Sequence, residues 1–188
     1  MPTTDEVYVR ALASTRAYVN AAKTDQWQGL TPCSERDVKQ AAKHNIGENL
    51  WAAELFNRKR IEEVGSRLDG DLAGTDPAGA YAASVEAATL VVSAPGAMEA
   101  ICHLSSGDYS DSDVAAQLVM DLLVHGWDIA KATGQDSRLD PELVQACLPI
   151  VKQLTIQFRS AGVFGENLPV DADADPQTRL LAMVGRRA

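Results

Sequence analysis

The sequence has no apolar run of about 18 residues free of charge, so nothing in it reads as a membrane span. It has no basic run either. Asp and Glu total 26 against 17 Lys and Arg, a net charge of −9, and that balance makes nucleic acid and anionic membranes poor partners. The opening residues MPTTDEVYVRAL carry neither a basic stretch nor an apolar core behind it, so no signal peptide is expected. Cysteine is scarce. Cys33, Cys102 and Cys147 are far apart and odd in number, which fits reduced thiols in a cytoplasm better than a disulfide framework. No low-complexity tract, internal repeat or strand-period alternation stands out. What remains is an ordinary globular composition, 46% hydrophobic and 23% charged over 188 residues. That length favours one domain spanning 1–188, able to bury roughly 70% of its unfolded surface without cross-links.

Helical periodicity is what the chain does have. Residues 4–23 place Val7, Ala11, Tyr18 and Ala22 on one stripe, with Thr4 as cap. Ser34 opens a second helix, predicted from about Glu35 to Glu63. The glycines and aspartates of 65–76 form a loop, after which Asp76 and Pro77 start an alanine-rich helix to Val92. Pro95-Gly96 ends or kinks it, and 97–104 is predicted helical again. Ser110, Asp111 and Ser112 offer caps for a central helix that stops near Gly134. A helix over 139–159 carries Pro149 as a kink, Gly162 and Gly165 open a loop, and a short helix starts near Pro176. Long helices joined by short loops predict an all-α, up-down four-helix bundle with extra C-terminal helices.

The central helix sets the functional question. From Ala115 to Ala130 it is almost wholly apolar, so it is expected to be buried nearly all round. Yet it contains Asp121, His125 and Asp128 at i, i+4 and i+7, on one face. A carboxylate and an imidazole in apolar surroundings must be paired, hydrogen-bonded or bound to a metal. Asp121 and His125 can bind one ion from a single helical face. With His44 from the second helix the set becomes two nitrogens and one oxygen. Three protein ligands and an open position are the catalytic arrangement for zinc, and two histidines with a carboxylate also match a non-haem iron triad. A hydrogen-bonded Asp–His pair or a polar seam between helices would explain the same residues without a metal. Glu48 shares the face of His44 and is an alternative ligand or a solvated charge. His103, predicted at a helix end, either reaches the pocket or serves the helix terminus. Asp128 is an outer partner for a ring N–H or pairs with Lys131. Cys33 reads as a small buried residue and Trp127 as core.

Four segments, TPCSERDVKQAAKHNIGENLWAAEL, LLVHGWDIAKATGQ, FRSAGVFG and DADADPQTRLLAMVGR, resemble the DinB-like superfamily of metal-binding four-helix bundles. They are closest to the branch that includes the N-terminal domain of mycothiol-dependent maleylpyruvate isomerase. The resemblance implies a divalent ion, often zinc or nickel, at one end of the bundle. The family's helix-2 histidine falls on His44, its carboxylate on Asp121 and its second histidine on His125. The chain departs at Asp121, where many members have histidine and the isomerase glutamate, and Glu48 matches no ligand position. The implied activity is a metal-dependent transferase or isomerase using a low-molecular-weight thiol of the mycothiol type against an electrophilic small molecule. A metal-dependent hydrolase and a non-catalytic metal- or ligand-binding bundle are the alternatives. Exposed helix faces leave a homodimer open.

Overall fold

The computed structural model describes residues 2–33, 36–105, 107–158 and 166–188, with backbone alone at 157 and 158. Among the described residues the chain forms α1 (Thr4–Ala21), α2 (Val38–Phe56), α3 (Ile61–Val64), α4 (Pro77–Val92), α5 (Asp111–Ala132), α6 (Pro141–Phe158) and α7 (Pro176–Met183). A two-stranded hairpin, β1 (Ile101–Leu104) and β2 (Gly107–Ser110), precedes α5. The molecule is therefore mostly helical, as the periodicity required. None of its described helices is long and apolar enough to cross a membrane.

Four helices build the bundle. Both α1 and α2 pack against α4 and α5. Polar contacts fix their directions. The Ser112 hydroxyl donates to Thr4 and the Thr15 hydroxyl to the Leu122 carbonyl, so α1 and α5 run parallel. Near its start α2 meets Asp121 through His44, and just past its end Arg58 meets Asp111, so α2 runs against α5. The end of α4 at Ser93 lies beside Pro2, Asp5 and Val9, which sets α4 against α1 and along α2. The up-down bundle thus contains one crossover, the 57–76 connection. The extra helices follow: α6 packs on α5 and α1, and α7 on α6.

These neighbours explain why α5 is apolar on most sides. Leu123, Trp127, Ile129 and Ala130 are at most 1% exposed. The approach of α1 is close enough that a Cβ on Gly126 would lie 2.9 Å from Thr15 Oγ1. Glycine at that position lets the two helices touch backbone to side chain.

Four expectations need correction. The second helix starts at Val38 and ends at Phe56 instead of spanning Glu35 to Glu63. Its cap is Asp37, whose Oδ1 accepts from Gln40 N at 2.7 Å while Gln40 Oε1 accepts from Asp37 N at 2.9 Å. The N–H groups of Val38 and Lys39 go to the carbonyls of Gly29 and Trp27, so the preceding loop fixes the start. The helix stops because Arg58 takes a left-handed backbone (φ 68°), with its guanidinium bonded to Asp111. Residues 97–104 are not a helix. A 3-10 turn at Ala97–Glu99 leads into β1, which pairs Cys102 with Tyr109 and His103 with Asp108. Ser34 and the loop at Gly162 and Gly165 lie outside the described residues. The first helix is capped by Thr3 and not by Thr4, with the Thr3 N–H donating to Glu6 Oε2 at 2.9 Å, so Thr4 is its first helical residue. Asp76 with Pro77, Ser110, and Asp175 with Pro176 cap α4, α5 and α7.

Candidate metal centre

His44 lies in the second turn of α2, Asp121 lies at the middle of α5, and His125 lies one turn further on. Because the two helices are antiparallel, these positions meet at one end of the bundle. One donor atom from each of His44, Asp121 and His125 lies within 4.8 Å of the other two. His44 Nε2 is 2.8 Å from Asp121 Oδ2, and His125 Nε2 is 3.6 Å from Asp121 Oδ1. The imidazole centroids are 5.0 Å apart, with their planes at 79°. Two donors on one ion at about 2.1 Å in a tetrahedron stand about 3.4 Å apart. The measured separations run to different oxygens of Asp121, but one donor atom per residue lies within 4.8 Å of the others, and two imidazoles with a carboxylate are donors a divalent ion takes, so the residues present fit one.

The environment is half-buried. The side chains of His44 and Asp121 are 26% and 25% exposed, and that of His125 is 6% exposed. Burial opposes the charged form of His44, but the hydrogen bond and charge of Asp121 outweigh it and raise its pKa. Burial likewise opposes the Asp121 carboxylate. The bond from His44 and the charges of His125, His44 and Arg36 overcome it and lower its pKa. Glu48 goes the other way: burial first, then the Asp121 charge, lift its carboxyl above the usual range.

Two arginines join the site that residue patterns did not single out. Arg36 Nη1 lies 2.9 Å from His125 Nε2. Arginine only donates, so Nε2 is the acceptor and the ring proton sits on Nδ1. That nitrogen faces Asp128 Oδ2 at 3.1 Å. The tautomer is the one that presents Nε2 to a metal, yet Arg36 holds that lone pair and has to give it up for His125 to serve as a ligand. Behind Asp128 stands Arg186, with Nη2 3.0 Å from Oδ2 and Nε 3.3 Å from Oδ1. Arg186 falls in the C-terminal segment DADADPQTRLLAMVGR, whose likeness to known relatives was the one signal that pointed there.

The other expected residues are placed as follows. Asp128 takes the outer-partner position behind His125, while Lys131 Nζ lies 5.4 Å over the Trp127 ring. Trp127 is core, as expected. Glu48 lines a cleft of about 470 Å³ together with His44, Arg36, Gln40, Lys43 and Trp51, outside the three-donor cluster. His103 is not brought to the cluster. It sits on β1 with Nδ1 2.7 Å from Asp108 Oδ1. The hairpin adjoins the start of α5, about 15 Å of helix from Asp121. Cys33 is half-buried, not buried.

Fold and geometry together define a class: a helical bundle that gathers two imidazoles and a carboxylate from two helices at one end. The chain belongs to the mycothiol maleylpyruvate isomerase N-terminal domain family, whose model matches residues 8–130. That match runs from α1 to the end of α5 and includes His44, Asp121, His125 and Asp128. Two relatives from Mycobacterium tuberculosis, strains CDC 1551/Oshkosh and ATCC 25618/H37Rv, are each 33% identical over 183 residues, covering 94% of this chain and 94% of the relative. Both are described as uncharacterised proteins. No solved structure matches the chain.

Proposed function

We propose that residues 1–188 form a single metal-dependent domain of the low-molecular-weight-thiol transferase or isomerase class, working in the cytoplasm. His44, Asp121 and His125 are the ligands, and zinc is the first candidate ion, with nickel and iron as alternatives. When bound, a divalent ion supplies Lewis acidity, lowering the pKa of a thiol or water beside it. The observation that carries the reading is the convergence of three donors of suitable chemistry within 4.8 Å at the wall of an accessible cleft. Family membership supplies the thiol: the matching family is described by mycothiol.

The chain's own residues divide the work. His44 and His125 present ring nitrogens and Asp121 its carboxylate, leaving one position to a small molecule. Asp128 keeps the ring proton of His125 on Nδ1. The cleft admits the thiol and its electrophilic partner along α2. A second reading, a non-catalytic metal- or ligand-binding bundle, draws support from Arg36, which occupies His125 Nε2. Titrating cobalt-loaded protein with a low-molecular-weight thiol separates the two. The transferase reading expects the visible spectrum of the cobalt to change with saturation at one thiol per chain; an unchanged spectrum favours the binding protein.

A further inference from the structure

A carboxylate with no exposed surface, such as that of Asp128, is tolerated only with compensating partners. Among the described residues its partners are His125 Nδ1 and the guanidinium of Arg186. Arg186 is itself nearly enclosed, with its side chain 12% exposed. It grips both carboxylate oxygens, so Asp128 cannot swing about its last bond, and Oδ2 stays aimed at the His125 ring. Arg186 is held in turn. Its N–H donates to the Leu181 carbonyl at 2.9 Å and its Nη1 to the Val184 carbonyl at 2.8 Å. Leu180 and Leu181 are fully buried, and the Gln177 side chain ties α7 to Leu139 N and the Ser137 carbonyl.

This arginine lies 58 residues beyond Asp128 and outside the family match at 8–130. We propose that Arg186 is a positioning residue for the candidate metal centre: the C-terminal segment completes the site from behind by fixing Asp128, and through it the tautomer and ring orientation of His125. The segment after α5 is thus part of the centre and not an appendage. The inference deepens the metal reading of His44, Asp121 and His125 and rests on it for its effect on affinity. Its effect on the His125 ring stands without a metal.

The test uses the full chain, with Arg186→Met and Arg186→Lys each made in an Arg36→Ala background, because the Arg36 bond to His125 Nε2 would by itself hold the Nδ1–H tautomer. Long-range proton–nitrogen NMR of the metal-free protein reports the His125 tautomer, and chelator competition with zinc reports affinity. Helix content and Tm serve as folding controls. Arg36→Ala, like wild type, is expected to hold one tautomer, protonated at Nδ1 through Asp128. Arg186→Met is expected to mix tautomers and bind zinc about 10–100-fold more weakly, the usual effect of losing an outer partner. Arg186→Lys keeps the charge without the fork and is expected to fall between. If Arg186→Met does not fold, Arg186→Lys decides: an unchanged tautomer and affinity overturn the proposal. Unchanged values in a folded Arg186→Met overturn it as well, while zinc binding by wild type would leave the metal reading intact. If wild type takes no zinc but the variants mix tautomers, the metal reading fails and the positioning role stands.

Discussion

Two histidine–aspartate pairs of nearly equal length lie at the two ends of this bundle. His44 meets Asp121 at 2.8 Å and His103 meets Asp108 at 2.7 Å. The Asp108 side chain is 67% exposed and that of His103 38%, on neighbouring strands; water screens such a pair and it contributes little. The His44–Asp121 pair is less exposed, and a second imidazole stands 3.6 Å from the same carboxylate. That imidazole is backed by Asp128 and Arg186. Separation within a pair therefore says nothing about function. Convergence of further donors, each with its own support, is what distinguishes one end from the other.

The sharpest way to break this contrast is substitution at both ends. His125→Ala is expected to weaken zinc binding by more than the about 100-fold upper range for an outer partner, with His103→Ala unchanged, both read by chelator competition. Equal losses would erase the distinction. Next comes packing. Gly126→Ala drives a methyl into Thr15 and is expected to destabilise the fold by about 1–3 kcal/mol, measured by denaturant unfolding. The double variant with Thr15→Ser removes the Thr15 methyl, whose Cγ2 lies 3.3 Å from that Cβ, and should recover part of the loss.

A gain is expected at Arg36. Arg36→Ala frees His125 Nε2 from a bond to a charged donor, and zinc affinity should rise about tenfold, equivalent to roughly 1.4 kcal/mol. Calorimetric titration reads it; weaker binding would mean that Arg36 supports the centre instead of competing for it.

The smallest effect is in pH. The raised pKa of His44 gives the metal-free protein stability that is complete below the ordinary histidine value of 6.5 and lost as pH rises through the raised value. The lowered pKa of Asp121 gives stability present above its ordinary 3.8 and lost as pH falls through the lowered value. Unfolding free energies of wild type and His44→Ala should differ most between those ordinary values, by on the order of 1 kcal/mol, and converge at alkaline pH. A difference that grows with pH would contradict the assignment.

Much of this was legible because it lies within single helices. Asp121 and His125 share a face by spacing alone, and the apolar surround of α5 announced that they needed partners. His44 was legible as a histidine on α2 at the position where the resemblance puts a ligand, although Asn45 and Asn49 are the polar residues of that helix that are fully buried. The rest depends on tertiary placement. Arg36 comes from a loop and Arg186 from the tail, and no periodicity ties either to His125. The hairpin was missed because strands of four residues are too short to show alternation. The end of α2 was missed because Arg58, not a glycine, takes the left-handed turn, held there by Asp111. Its start moved from Ser34 to Asp37 because the carbonyls of Gly29 and Trp27 claim the first helical N–H groups.

The most direct test is the metal content of purified protein after incubation with zinc and removal of free ion, for wild type and for His125→Ala. The account predicts one zinc per wild-type chain and none in the variant, at equal helix content. Wild type without zinc, or equal zinc in both proteins, would contradict it.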